Sequence, residues 1–154
     1  MKIYYQRTED ATKLKFLKQG DWIDLALPKT AHIEKGKFEA ISLGIRMQLP
    51  KGFEAWIVLR SSTGKRYKVL QYNAIGIIDE SFSGPEDIWH TLLYAPEGCE
   101  IPKHSRIVQF RIMPKMQAGI WTKIKWLFTR KIVFVEKELP NDTISRGGLG
   151  STGQ

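Results

Sequence analysis

The chain closes on Arg146-Gly147-Gly148-Leu149-Gly150-Ser151-Thr152-Gly153-Gln154, a stretch of four glycines, two hydroxyls and one guanidinium that cannot build a core. Glycine-rich backbone lets N–H groups approach an anion closely, while Ser and Thr add donors and Arg supplies a planar cationic fork. The stretch therefore suits a phosphate clasp; the plain alternative is a frayed tail. A second candidate is Leu59-Arg60-Ser61-Ser62-Thr63-Gly64-Lys65-Arg66. It is no P-loop, because Leu59 replaces the leading glycine and Arg66 stands where a magnesium-binding hydroxyl is required. What remains is Arg-Ser-Ser-Thr-Gly after an apolar strand, whose hydroxyls and N–H groups can hold a phosphate or simply make a turn.

Two carboxylates complete the set. Asp79 follows the apolar pair Ile77-Ile78 and precedes a turn, so it sits at the mouth of a hydrophobic strand, where partial burial can tune a base. Asp24, in Gly20-Asp21-Trp22-Ile23-Asp24-Leu25, is placed similarly and suits either a hydrogen-bonded strand end or a metal or water ligand.

The elements that must carry these residues are mostly strands. Ile41, Leu43, Ile45, Met47 and Leu49 alternate with period two, which predicts one half-buried strand ended by Pro50-Lys51-Gly52. Ala55 to Leu59 is apolar on both faces, as for a strand covered on both sides. Short runs at Val69-Leu70, Ala74 to Ile78, Thr91 to Tyr94, Ile107 to Met113 and Lys131 to Val135 follow, with Gly or Pro between them. That punctuation predicts a mainly β chain, a barrel or sandwich. Two short helices are expected, one over 8–18 on the spacing of Leu14 and Leu17, and one over 120–128. In the second, Ile120, Ile124, Leu127 and Phe128 share a face.

A length of 154 residues with 42% apolar content suits one domain with a real core. No apolar run approaches a membrane span or a signal peptide, so a cytoplasmic protein is expected. Cys99 is the sole cysteine and His32, His90 and His104 lack zinc-ligand spacing, which sets aside an internal disulfide and a structural zinc. The net charge of +8 invites phosphate. Its partial concentration in 113–137 suits a polyanionic small molecule as well as nucleic acid, and charge does not separate the two.

Taken in order, these pieces resemble the homotrimeric dUTPase family, whose five motifs would be Asp21–Leu25, Arg60–Gly64, Gly76–Gly84, Arg106-Ile107-Val108-Gln109 and Arg146–Gly153. The resemblance implies a dUTPase-like β-barrel or jelly roll (β-clip) over 1–145 and a flexible Gly-rich lid over 146–154. It implies Mg2+-dependent hydrolysis of dUTP to dUMP and pyrophosphate, which limits uracil incorporation into DNA, in a homotrimer with shared active sites. By similarity, Asp79 would activate the water that attacks the α-phosphorus, and Asp24 would hold Mg2+. Arg60, Ser61, Ser62 and Gln109 would contact the phosphate chain, with Arg146, Ser151 and Thr152 closing over its end. Asn73, Gly76 and Ile78 would form a hairpin that reads uracil.

Three positions depart from the common pattern. Phe82 stands where the family usually has Tyr beneath the deoxyribose, keeping a ring but losing a hydroxyl. His104 replaces a glycine in the turn before Arg106, which implies a different turn, since a side chain resists positive φ. Leu149 replaces the lid aromatic, as in a Bacillus or phage-like variant, and leaves Trp89 or Phe82 as the candidate uracil cover.

Residues 117–131 look like an insertion, a basic amphipathic helix expected to dock its apolar face on its own domain or a neighbouring subunit, or to receive a protein partner. Two other functions stay open at this point. A dCTP deaminase-like enzyme would need a further catalytic acid that no residue clearly supplies. A basic binding or regulatory protein would act through 117–131.

Overall fold

Gly44 decides how the long alternating segment folds. Its φ is 66°, and a Cβ there would lie 2.8 Å from the Ala11 Cβ and 2.9 Å from the Thr8 Oγ1. The expected single strand is therefore bent into β4 (Lys37–Ser42) and β5 (Ile45–Gln48), which join different sheets. The same corner leaves no helix in the described part of the span expected over 8–18. Thr8 donates its N–H to the Gly44 carbonyl at 2.9 Å, Arg7 Nη1 donates to the Ala11 carbonyl, and residues 8 and 10–14 carry no helix. The computed structural model describes residues 1–8, 10–14, 21–129, 131–141 and 144–147. Leu17 lies outside them.

The remaining elements are β1 (Lys2–Arg7), β2 (Ile23–Ala26), β3 (Ala31–Ile33), β6 (Phe53–Leu59), α1 (Ser61–Tyr67), β7 (Leu70–Gln71), β8 (Gly76–Asp79), β9 (His90–Ala95), β10 (Cys99–Ile101), β11 (Arg106–Pro114), α2 (Ile120–Leu127) and β12 (Val133–Glu136). They form four small sheets, β12-β1-β5, β10-β3, β2-β11-β6-β8 and β4-β9-β7. The mainly β expectation holds with a jelly-roll-like arrangement, but no sheet closes into a barrel among the described residues.

The sheet that holds the candidate carboxylates Asp24 and Asp79 is β2-β11-β6-β8. Phe53, Ala55 and Ile57 of β6 are buried, while Glu54, Trp56 and Val58 face the other way and are half-buried. On that second face, Arg111 lies over the rings of Trp22, at 5.0 Å, and Trp56, at 5.8 Å. Beneath the first face the aromatic core runs from Trp89 to Phe110 (5.2 Å, edge to face), on to Phe134 (5.9 Å) and then to Tyr5 (6.4 Å).

β12 pairs in parallel with β1 and takes the chain towards its C-terminal segment. There the buried Arg46 donates to Gln6 Oε1 at 2.7 Å, the Leu139 carbonyl at 2.7 Å and Asn141 Oδ1 at 2.9 Å, pinning the root of that segment.

α2 forms where expected, but most of its apolar face does not dock on its own domain. It touches its domain through Trp126, 5.7 Å from the Phe53 ring, and through Thr122 beside Gly52. Trp121, Leu127 and Phe128 are each 79% exposed. The backbone explains this reversal: Lys115 donates its N–H to the Gly52 carbonyl at 2.9 Å, fixing which side of the helix meets the sheet.

Candidate active site

One group of predicted residues gathers at the end of β6. The stretch after Leu59 is a helix, α1, and not a plain turn. Arg60 is extended at its N-cap, Thr63 Oγ1 donates to the Ile107 carbonyl at 2.7 Å, and Lys68 ends the helix at φ 54°. The hydroxyls of Ser61 and Ser62 are exposed, and while the Thr63 N–H donates to the Arg60 carbonyl at 2.9 Å, Ser61 and Ser62 stand at first-turn positions whose N–H groups a helix leaves unpaired. Arg60 turns back to Asp24, its Nε 2.9 Å from Asp24 Oδ1.

Arg106, the first residue of the fourth motif, reaches Asp24 Oδ2 at 3.1 Å. A β-bulge between Arg106 and Val108 makes this possible, since it buries Ile107 and Val108 together and swings Arg106 over β2. Gln109 lies directly opposite Asp24 in the ladder, so both side chains share one face. Beside them a cleft of about 320 Å³ is lined by Arg60, Ser62, Arg66, Lys103, His104 and Arg106, a strongly cationic wall.

His104 keeps the turn. Its φ is 65°, so the left-handed conformation survives the loss of glycine, held by a 2.9 Å bond from its N–H to the Leu27 carbonyl.

The second group gathers at the end of β8. Asp79 Oδ1 accepts the Ser81 N–H at 2.7 Å and the Ser81 hydroxyl, and Oδ2 accepts Arg146 Nη1 at 2.9 Å. The same Nη1 donates to Ser81 Oγ at 2.7 Å. Burial opposes ionisation of Asp79. The Ser81 bonds and the charges of Lys115 and Arg146 outweigh it, so the carboxyl titrates below its ordinary value. Lys115 also pairs with Glu80. Gly76 packs where a Cβ would meet that of Ile57 at 3.4 Å, and Ile78 and Phe82 lean on the core.

Asn73 is exposed in the turn from β7 to β8. The two arms are not a hairpin, because β7 pairs with β9 and β8 pairs with β6. Trp89 is no uracil cover in this chain. It is fully buried against Phe110, where its place on the inward face of β9 puts it. Leu149, Ser151 and Thr152 lie outside the described residues.

The chain is 41% identical over 145 residues to the SPbeta prophage-derived deoxyuridine 5'-triphosphate nucleotidohydrolase YosS of Bacillus subtilis, covering 94% of this chain and 92% of that protein. The chain belongs to the dUTPase family. A deoxyuridine 5'-triphosphate nucleotidohydrolase of Alkaliphilus metalliredigens is 29% identical over 154 residues, 98% of this chain and 96% of that one. Among solved structures, the dUTPase of Streptococcus mutans superposes with a TM-score of 0.66 over 75% of this chain and 98% of its own, at 18% identity. A dUTPase of phage phi11 of S. aureus, whose structure shows a structural Mg(II) ion, superposes with a TM-score of 0.67 at 13% identity, over 77% and 94%. No protein-family model matches the chain.

Within this dUTPase-family chain the two groups stand apart. Asp24 opposes Gln109, which opposes Val58, whereas Asp79 opposes Glu54. Three strand spacings of about 4.8 Å and four residues of about 3.3 Å give a diagonal of about 19 Å between them, on one face of the sheet.

A buried carboxylate beside the candidate site that sequence reasoning missed is Asp87. It is fully buried, its Oδ2 accepts the Gly84 N–H at 2.7 Å, and its Oδ1 accepts the Arg146 N–H at 3.0 Å. An Asp three residues after a turn glycine looks like an ordinary local cap, and the partner 59 positions away leaves no local signal.

Proposed function

We propose that this protein is a dUTP diphosphatase, hydrolysing dUTP to dUMP and pyrophosphate in the cytoplasm and so limiting uracil entry into DNA. The observation that carries the mechanism is the Asp79, Ser81 and Arg146 cluster. A carboxylate that stays ionised at neutral pH is placed beside a cation suited to phosphate.

Asp79 accepts the proton of the water that attacks the α-phosphorus. That water takes the place on Oδ2 that Arg146 occupies in the free protein, as the guanidinium moves to the substrate's phosphate oxygens. Removing this positive charge from beside Asp79 makes the carboxylate a better base at the moment it is needed. The first-turn N–H groups and hydroxyls of Ser61 and Ser62, the Gln109 amide and Arg60 bind the phosphate chain. Asn73 and the backbone at Gly76 and Ile78 read uracil, and Phe82 lies under the sugar. Ser151, Thr152 and the rest of 146–154 complete the lid.

Asp24 would meet Mg2+ only indirectly. Both oxygens of Asp24 are engaged by arginines, its side chain is 8% exposed, and no three metal-ligating side chains cluster among the described residues. This fits an ion carried by the phosphates and met by Asp24 through water, not a protein cage. Such an ion would neutralise charge building on the pyrophosphate leaving group.

The separation of about 19 Å between the Asp79 and Asp24 groups supports a homotrimer with shared sites. The water on Asp79 and the contacts to the phosphate it attacks each need hydrogen-bond reach, which one protomer does not supply. Exposed Phe38, Leu70, Tyr72 and Ile77, at 55–61%, support association. The outward apolar face of α2 remains a surface for a neighbouring subunit or a protein partner.

The test is to incubate the protein with Mg2+ and each deoxynucleoside triphosphate. Pyrophosphate from dUTP alone is expected; ammonia from dCTP, or no product from either, would overturn the reading.

A further inference from the structure

Residues 101–135 hold eight Lys and Arg and no Asp or Glu, so the whole net charge of +8 belongs to this stretch and the rest of the chain is balanced. α2 lies in its second half. Thr122 and Trp126 meet the domain, at Gly52 and Phe53. Ile124 stands midway between them in sequence, about 200° round the helix from each, and so faces away from the domain. Ile120 and Phe128 share its row one turn to either side, with Trp121 and Leu127 beside it. Lys123 and Lys125, its immediate neighbours, fall on opposite flanks of this apolar face.

The charge and the kinds of side chain narrow what the face can meet. A second copy docked about a twofold axis would bring the same positive stretch against itself, which like charges oppose. Single-stranded nucleic acid would use the lysines and the rings of Trp121 and Phe128, but it has no use for the exposed aliphatic Met116, Ile120 and Leu127. Hydrocarbon takes aliphatic and aromatic side chains alike. Neither Lys123 nor Lys125 pairs with a carboxylate among the described residues; Lys123 Nζ donates to the Met116 carbonyl at 2.9 Å. Lysines so placed can lay their stems along an apolar surface and keep their ammonium groups among phosphates. Two turns of helix are marginal alone, yet Thr122 and Trp126 already hold these formed, so a contact has no helix to order.

We propose that the outward face of α2 docks on the surface of a bilayer carrying anionic phospholipid. Trp121, Leu127 and Phe128 enter the boundary between headgroups and acyl chains, and Lys123 and Lys125 meet the headgroup phosphates. No helix among the described residues is long and apolar enough to cross a membrane, so α2 lies along the surface. None of these residues belongs to the groups around Asp24 and Asp79, and turnover of dUTP should not depend on the contact.

Flotation tests this with vesicles of phosphatidylcholine alone and of phosphatidylcholine mixed with phosphatidylglycerol. At physiological salt the full chain should bind the mixed vesicles about tenfold or more better than the neutral ones, since each lysine near an anionic surface contributes about fivefold. Trp121→Ser/Phe128→Ser should weaken that binding about tenfold or more through lost apolar area, with thermal midpoint and dUTP turnover unchanged. Lys123→Gln/Lys125→Gln should weaken it by about fivefold per lysine. Brominated acyl chains should quench part of the tryptophan emission, and Trp121→Ser should remove that part.

Wild-type protein that does not float with the mixed vesicles would overturn the proposal and leave an acidic protein as the partner of the face. Undiminished flotation of Trp121→Ser/Phe128→Ser would also overturn it, since diffuse charge alone would then hold the protein to the lipid. A smaller assembly of that variant in sedimentation velocity would assign the face to a second copy. Binding of a single-stranded oligonucleotide that this variant loses, without flotation of the wild type, would assign it to nucleic acid; both results count against lipid docking. If the double variant unfolds, Leu127→Glu at another exposed position decides by the same comparison.

Discussion

Arg146 Nη1 donates to Asp79 Oδ2 at 2.9 Å across 67 positions of sequence, and this pair joins the C-terminal segment to the end of β8. In the proposed mechanism these two are the base and the phosphate-facing cation, which substrate would have to part.

The acid limb of kcat/KM follows from this pair. The folded-state value of Asp79 lies below its ordinary one, so it is ionised, and contributes its stability, above the unfolded value near about 3.9. Both are lost only as pH falls through the lower folded value. kcat/KM should therefore hold level on acidification until below the usual carboxylate range. Arg146→Ala should move the limb upward by removing one charge, and Ser81→Ala should move it further, because the Ser81 bonds weigh more. A limb that stays in place in both variants would contradict Asp79 as the titrating base.

Asp79→Asn should lower kcat by about 10² or more, the usual contribution of a positioned general base. Affinity for a non-hydrolysable dUTP analogue should remain, because the amide can still accept from Ser81. Calorimetry with the analogue checks binding, and pyrophosphate release checks turnover. Turnover at the wild-type rate would sink the mechanism.

Asp24→Asn and Asp79→Asn should each be inactive alone and partly active when co-expressed in one assembly. Asp24 and Asp79 lie about 19 Å apart in one protomer, so an intact site would draw one from each of two copies. Differently tagged subunits, purified over both tags, provide the mixed species. Absence of regained activity in a verified mixed assembly would argue that sites are not shared.

His104→Gly should stabilise the chain by up to about 1 kcal/mol. His104 holds a left-handed φ of 65° that costs a residue with a side chain about 1–2 kcal/mol, partly offset by the greater freedom of glycine in the unfolded chain. A shift of the urea midpoint to higher concentration, with an unchanged slope, would show it. A lower midpoint would mean that the imidazole makes a compensating contact.

Much of the site was legible because its residues are marked locally. Asp79 follows two apolar residues at a strand end, Gln109 follows an apolar stretch of β11, and α2 announces itself by helical spacing. α1 was not legible. Its helix depends on Thr63 bonding to Ile107, 44 positions away, and its own Ser-Ser-Thr-Gly composition reads as a turn. Trp89 shows the same limit. An aromatic near Phe82 can cover a base or fill a core, and only the arrival of Phe110 and Phe134 decides for the core.

By itself, the sequence determined the family and the mainly β character, and it supplied the order of the motifs, the candidate acid and cations and the glycine-rich end, because these rest on residue type and short-range periodicity. Tertiary structure alone decided that Gly44 splits one alternating run between two sheets, that α2 turns its apolar face outward, and that Asp24 and Asp79 stand at opposite corners of one sheet. It alone decided that the Arg146 N–H meets the buried Asp87 carboxylate. Each of those outcomes depends on contacts between residues far apart in the chain, and neither periodicity nor composition records such contacts.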